Sequence, residues 1–163
     1  MDRDLQQLLK QCVENAGEQD LHVIASMLEG VKDKLAKKKS TYIDGILHMD
    51  RSVEDELCKI DIPVTPFLSN TLGIVHGGVT ATVIDTAMGT LANYILPEEY
   101  GAVTTQLNVH YIAPGLGESL RCEARFIHRG TKTMVLGADM YRADGTKIAY
   151  ATGSFFVVKK DMK

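Results

Sequence analysis

Apolar positions along this chain recur with two different periods, and the change from one to the other falls near residue 40. Before it, Leu5, Leu8, Leu9, Cys12 and Val13 recur at helical spacing, as do Leu21, Ile24, Met27, Leu28, Val31 and Leu35, which predicts a helical hairpin turning around Gly17. The run K-D-K-L-A-K-K-K then reads as a solvated helix C-terminus, where positive charge suits the helix dipole. Residues 1–39 are therefore expected to form a helical extension and residues 40–163 the main domain. In that domain Y-I-D-G-I-L-H-M-D and E-L-C-K-I-D-I-P read as strands, followed by one long helix over 77–96 that Pro97 closes. Four more strands are expected over 102–113, 118–128, 132–142 and 147–158, with Pro114-Gly115 dividing the first two and Ala143-Asp144-Gly145-Thr146 turning a hairpin between the last two. Val79, Val83, Ala87, Leu91 and Ile95 give the long helix an apolar stripe for a sheet to bury. The pattern by itself specifies an α+β protein.

Composition narrows the class. A chain of 163 residues suits one domain plus an appendage, and 45% hydrophobic with 24% charged residues excludes a largely disordered chain. The net charge of −3 argues against general affinity for nucleic acid or an anionic membrane. No apolar run approaches the roughly 20 residues of a membrane span, and M-D-R-D-L-Q-Q-L-L-K does not read as a signal peptide. Cys12, Cys58 and Cys122 are scattered, odd in number and not spaced as metal ligands, so they are expected to be reduced thiols in a cytoplasmic protein.

The stretch Asn70 to Asp85, N-T-L-G-I-V-H-G-G-V-T-A-T-V-I-D, carries the candidate chemistry. His76-Gly77-Gly78 opens the long helix, whose first N–H groups lack intrahelical acceptors and point at whatever docks there. Asp85, two turns further on, is the only acid between Asp61 and Glu98 and sits in an otherwise apolar and small-residue helix. Downstream lies the Thr-rich strand A-V-T-T-Q-L-N-V-H-Y-I-A-P-G. A glycine pair before a helix is by itself more often a turn or a tight packing point than a catalytic loop; the accompanying residues give it weight.

Together these residues resemble the hotdog-fold thioesterases, in the branch of the phenylacetate-pathway thioesterase and the small acyl-CoA thioesterases, with the N-x-x-G-x-x-H-G-G pattern and the helix Asp present over residues 40–158. The resemblance implies an antiparallel sheet wrapped around one long central helix, and acyl-CoA hydrolysis without a cofactor or metal, CoA entering as part of the substrate. In that branch the Asn steadies the His-Gly-Gly loop, the N–H of the first Gly polarises the thioester carbonyl, and the helix Asp is nucleophile or general base. These roles fall on Asn70, Gly77 and Asp85, with His76 ordering the loop and a strand hydroxyl, Thr104 in preference to Thr105, holding the water; Gly78 and Thr105 are expected among the substrate-binding residues. His128-Arg129-Gly130-Thr131-Lys132 resembles the family's H-x-G hairpin, where Arg129, Gly130 and Lys132 would meet CoA phosphates, although a solvated turn explains the same residues. Homodimers or homotetramers with active sites between subunits are implied as well. The rival scheme, with His76 as the base, has no G-x-S-x-G elbow and no well-placed Cys to support it. A binding-only acyl-CoA regulator is the alternative from another class, and against it the Asn70, Gly77, Asp85 set is intact and the extension shows no helix-turn-helix.

Overall fold

The computed structural model describes residues 2–160, which fall into two compact units, one running up to His48 with Thr65–Phe67 added, the other holding Met49–Val64 and everything from Leu68 onward. The first unit contains α1 (Asp2–Glu14), α2 (Glu18–Leu35) and α3 (Tyr42–Ile46). Gly17 starts α2, and its N–H donates to Asp20 Oδ2 at 3.1 Å. The two helices do not lie along each other, so the expected hairpin stays open.

α3 corrects the reading of Y-I-D-G-I-L-H-M-D as a strand. Thr41 Oγ1 accepts from Asp44 N at 3.1 Å while Asp44 Oδ2 accepts from Ser40 N at 2.8 Å, so side-chain capping starts a helical turn where alternation suggested extended chain. The turn docks against α2 through two glycines: a Cβ on Gly30 would lie 2.5 Å from the Gly45 carbonyl oxygen. Ser26 and His48 close the unit with a 2.8 Å hydrogen bond.

The second unit is a six-stranded antiparallel sheet with one long helix, α4 (Gly77–Tyr94), packed on it. Its strands are β1 (Asp50–Glu54), β2 (Leu57–Pro63), β3 (Tyr100–Tyr111), β4 (Ser119–Arg129), β5 (Thr133–Arg142) and β6 (Lys147–Lys159), in the order β1-β2-β4-β5-β6-β3. β1 escaped the sequence reading because its hairpin turns on Asp55 and Glu56, at φ 49° and 60°, instead of on a glycine. The core joins Ile60, Leu120, Met134, Leu136, Met140 and Phe155 from the sheet to Val83, Ile84, Ala87, Met88 and Leu91 from α4. Val79 and Ile95, at the ends of the expected stripe, are only half-buried, because a strict i+4 row drifts around a helix of 3.6 residues per turn. Gly153 lets α4 approach the sheet, since a Cβ there would sit 2.9 Å from Met88 Cε.

The opposite face of α4 carries Thr82, Asp85, Thr86, Gly89 and Asn93, and it runs beside β3, the edge strand. Polar contacts stitch the two together: Asn93 Oδ1 accepts from Ala102 N at 3.0 Å, Asp85 Oδ1 from Thr104 Oγ1 at 2.9 Å, and the Gly77 carbonyl from the Tyr111 hydroxyl at 2.8 Å. Among the described residues no helix is long and apolar enough to cross a membrane.

Candidate active site

The approach to α4 is a short closed loop. Ser69 and Val75 bridge across it, and Asn70 Oδ1 accepts from Leu72 N at 2.8 Å and Ile74 N at 3.4 Å. Gly73, at φ 71°, supplies the left-handed conformation the turn requires. Asn70 thus steadies the loop leading into His76 and reaches neither glycine.

His76 is the N-cap of α4: its Nδ1 accepts from Gly78 N at 2.9 Å. The Nδ1 lone pair is thereby engaged in shaping the helix start. Val79 N and Thr80 N turn to the His76 carbonyl, which leaves the Gly77 N–H as the open donor of the first turn, at the positive end of the helix dipole. Both glycines are closely approached by side chains: a Cβ on Gly77 would lie 3.3 Å from the Tyr111 ring and one on Gly78 3.1 Å from His76 Nδ1, so either neighbour would have to shift by a few tenths of an ångström. Beside Gly77 is a groove of about 490 Å³ walled by Ile74, Val75, Ile112, Pro114 and Ile148, with Asn70 and Tyr111 at its polar side.

Tyr111 escaped the sequence reading. It is 34 residues from Gly77, and only the course of β3 along α4 brings its hydroxyl to the glycine carbonyl; no spacing rule links the two.

Asp85 is half-buried on α4 and hydrogen-bonded by Thr104. Because Thr104 spends its proton on Asp85 Oδ1, its oxygen keeps lone pairs for an incoming water, while Asp85 Oδ2 remains as an acceptor. Thr105 goes elsewhere: a bulge between Thr104 and Gln106 makes it the extra residue of β3, and its hydroxyl donates to the Ser154 carbonyl at 3.0 Å. Gly77 and Asp85 are two turns of helix apart, a rise of about 12 Å along α4.

The basic hairpin lies at the other end of α4. Arg129, Gly130 and Lys132 line a groove with Ile95, Leu96, Tyr100 and Phe156. Gly130 N donates to the Thr133 carbonyl at 3.0 Å and thereby tightens the turn. Arg129 is already paired with Glu56 at 2.7 Å, which leaves Lys132 as the less committed cation of the groove. Among the described residues no three His, Cys, Asp or Glu side chains come together as a metal-ligand set. Cys58 and Cys122 are fully buried in the sheet, and burial pushes the Cys58 thiol up to about 11 and raises that of Cys122 as well.

This architecture and sequence have known counterparts. The profile of the thioesterase superfamily matches residues 72–149, from the loop before His76 to β6. A protein of Halobacterium salinarum, named provisionally as an esterase, is 34% identical over 146 residues, covering 79% of this chain and 96% of its own length. A proofreading thioesterase of Klebsiella pneumoniae is 27% identical over 96 residues, covering 58% of this chain and 69% of its own. Among solved structures, a protein of Bacillus halodurans crystallised with CoA superposes with a TM-score of 0.84 at 35% identity, covering 90% of this chain and 97% of that one.

Proposed function

Because the chain belongs to the thioesterase superfamily, with its hotdog fold and thioester hydrolase activity, we propose that its substrate is an acyl-CoA and that Asp85 is the base which activates water against the thioester carbonyl. The hydrogen bond from Thr104 to Asp85 carries this reading, since it aligns a carboxylate and a water-accepting hydroxyl on the exposed side of α4. Asp85 takes a proton as the water oxygen bonds to the carbonyl carbon; the C–S bond then breaks and the CoA thiolate leaves. The Gly77 N–H stabilises the developing oxyanion, a device worth roughly 3 to 4 kcal/mol per donor in comparable sites. No cofactor is needed, because the thioester carbonyl is electrophilic and thiolate leaves readily.

The 12 Å between Gly77 and Asp85 requires two copies of the chain. A two-fold axis that sets their α4 helices antiparallel brings the Gly77 end of one copy beside the Asp85 of the other, and toward its Arg129–Lys132 groove, where Lys132 would meet CoA phosphate. The unpaired edge of β3, which flanks Asp85 and Gly77 alike, is the strand available for that pairing.

Thiol release from short, long and aromatic acyl-CoAs by the purified chain and by Asp85→Asn tests the proposal. Turnover by the wild type that falls at least about 100-fold in Asp85→Asn, with unchanged melting and acyl-CoA affinity, is expected. Equal turnover in the variant would remove Asp85 from the mechanism, and tight binding without turnover in both would make the chain a binding protein. Single turnover in H₂¹⁸O separates base from nucleophile, because only a nucleophilic Asp85 would itself acquire the label.

A further inference from the structure

Every described side chain of α1 is exposed, including Leu5 at 66% and Leu8 at 56%, and α2 shows a second apolar row that α3 does not cover. α3 packs on the side of α2 that holds Ser26 and Gly30. The other side carries Leu21, Ile24, Leu28, Val31 and Leu35 at alternating spacings of three and four, the pattern of a coiled-coil seam, with Leu28 50% and Leu35 68% exposed. A 13-residue helix such as α1 is marginal in water unless a partner covers its apolar face. Lipid is a poor occupant: between Asp4 and Glu14, α1 offers Lys10 as its only cation, whereas interfacial helices flank their apolar face with several.

The charges beside the α2 seam name the occupant. When two α2 helices run antiparallel with Ile24 of each packed against Leu28 of the other, Glu18 lies beside Lys32 of the second copy on one flank, and Asp20 beside Lys34 of the second copy on the other. Each pair occurs twice by symmetry, and between the Glu18–Lys32 pairs the small Ala25 faces its own counterpart. A parallel arrangement sets Asp20 against Ala25 and Met27 against Lys32, with no complementary pair on either flank. We infer that the α1–α2 arm is a self-association surface, in which the α2 seam packs antiparallel against α2 of a second copy of this chain. The inference uses none of the residues invoked for catalysis and stands independently of the acyl-CoA reading.

Disulfide trapping in the full-length chain tests it. Cys12, the exposed native thiol, is replaced by Ser, while Cys58 and Cys122 are buried and stay. Into this background go Glu18→Cys in one preparation and Lys32→Cys in another. In the antiparallel seam the two thiols of a mixed pair are adjacent, whereas two copies of the same variant hold theirs about 21 Å apart along the helix axis. Mild oxidation of the mixture is expected to give covalent dimer as the main species, neither preparation alone doing so, and Leu28→Asp added to both is expected to abolish it. Dimer from either single variant alone would show a parallel seam and overturn the proposal. Absence of dimer from the mixture, or dimer that persists with Leu28→Asp, would overturn it too.

Discussion

At the scale of the residue, the site depends on how few atoms are left uncommitted. His76 is occupied as a cap, Thr105 as a strand anchor and Arg129 as an ion-pair partner, which leaves Asp85, Thr104, the Gly77 N–H and Lys132 for chemistry and binding. Thr104→Val keeps the shape of the side chain and deletes the donor to Asp85. It is expected to lower kcat about 10-fold or more while KM changes little, because in the proposed mechanism the hydroxyl positions water and not the carrier; steady-state kinetics on the substrate found by thiol release check this. The cysteines give a second residue-scale expectation. Burial disfavours the thiolates of Cys58 and Cys122 and holds their protons on, so native protein should label with iodoacetamide at the exposed Cys12 alone, the other two reacting only after unfolding. Mass spectrometry of native and denatured samples distinguishes the three sites.

At the scale of the element, the β5–β6 hairpin shows how a turn is locked by charge. Gly145 takes φ 84°, Arg142 Nη2 meets Asp144 Oδ2 at 2.6 Å, and Asp144 Oδ1 accepts from Thr146 N at 2.9 Å. The Arg142 guanidinium, first among these, holds the Asp144 carboxyl down to about 2. A carboxyl whose folded value is depressed favours the folded state above its ordinary range and loses that contribution as pH falls through it toward 2. Asp144→Asn should therefore melt below the wild type at neutral pH, and the gap between them should close between about pH 4 and 2. Thermal melts at stepped pH provide the check, and a gap of constant size would mean that the charge does not matter. The exposure of the turn keeps the expected difference small.

At the scale of the whole molecule, the candidate active site is split along α4: donor at its start, acid and hydroxyl in its middle, basic groove at its end. Two inactive variants should then rescue each other. Asp85→Asn leaves Gly77 intact, and Gly77→Val, which pushes a side chain into Tyr111, leaves Asp85 intact. A two-fold pair formed from one of each contains one complete site, so an equal mixture, unfolded and refolded together, should recover about a quarter of wild-type activity. Recovery at the level of the separate variants would place both groups of a working site on the same chain.

Elements whose signals are local can be read from the order of residues alone. The long helix was legible from its glycine start, small residues and closing proline, four strands from their alternation, and Asp85 from being a lone acid among apolar neighbours. Local signals misled at residues 42–46, where the Thr41 cap and the Asp44 side chain outweighed an alternating pattern, and were silent at β1, whose turn has no glycine. Which side chains face each other is settled by the packed fold. The bulge in β3 assigns Thr104 to Asp85 and turns Thr105 away, the strand's path along α4 delivers Tyr111 to Gly77, and an ion pair with Glu56 commits Arg129. These contacts join residues far apart in the chain, and their geometry is set by sheet order and register, which periodicity and motif spacing do not encode.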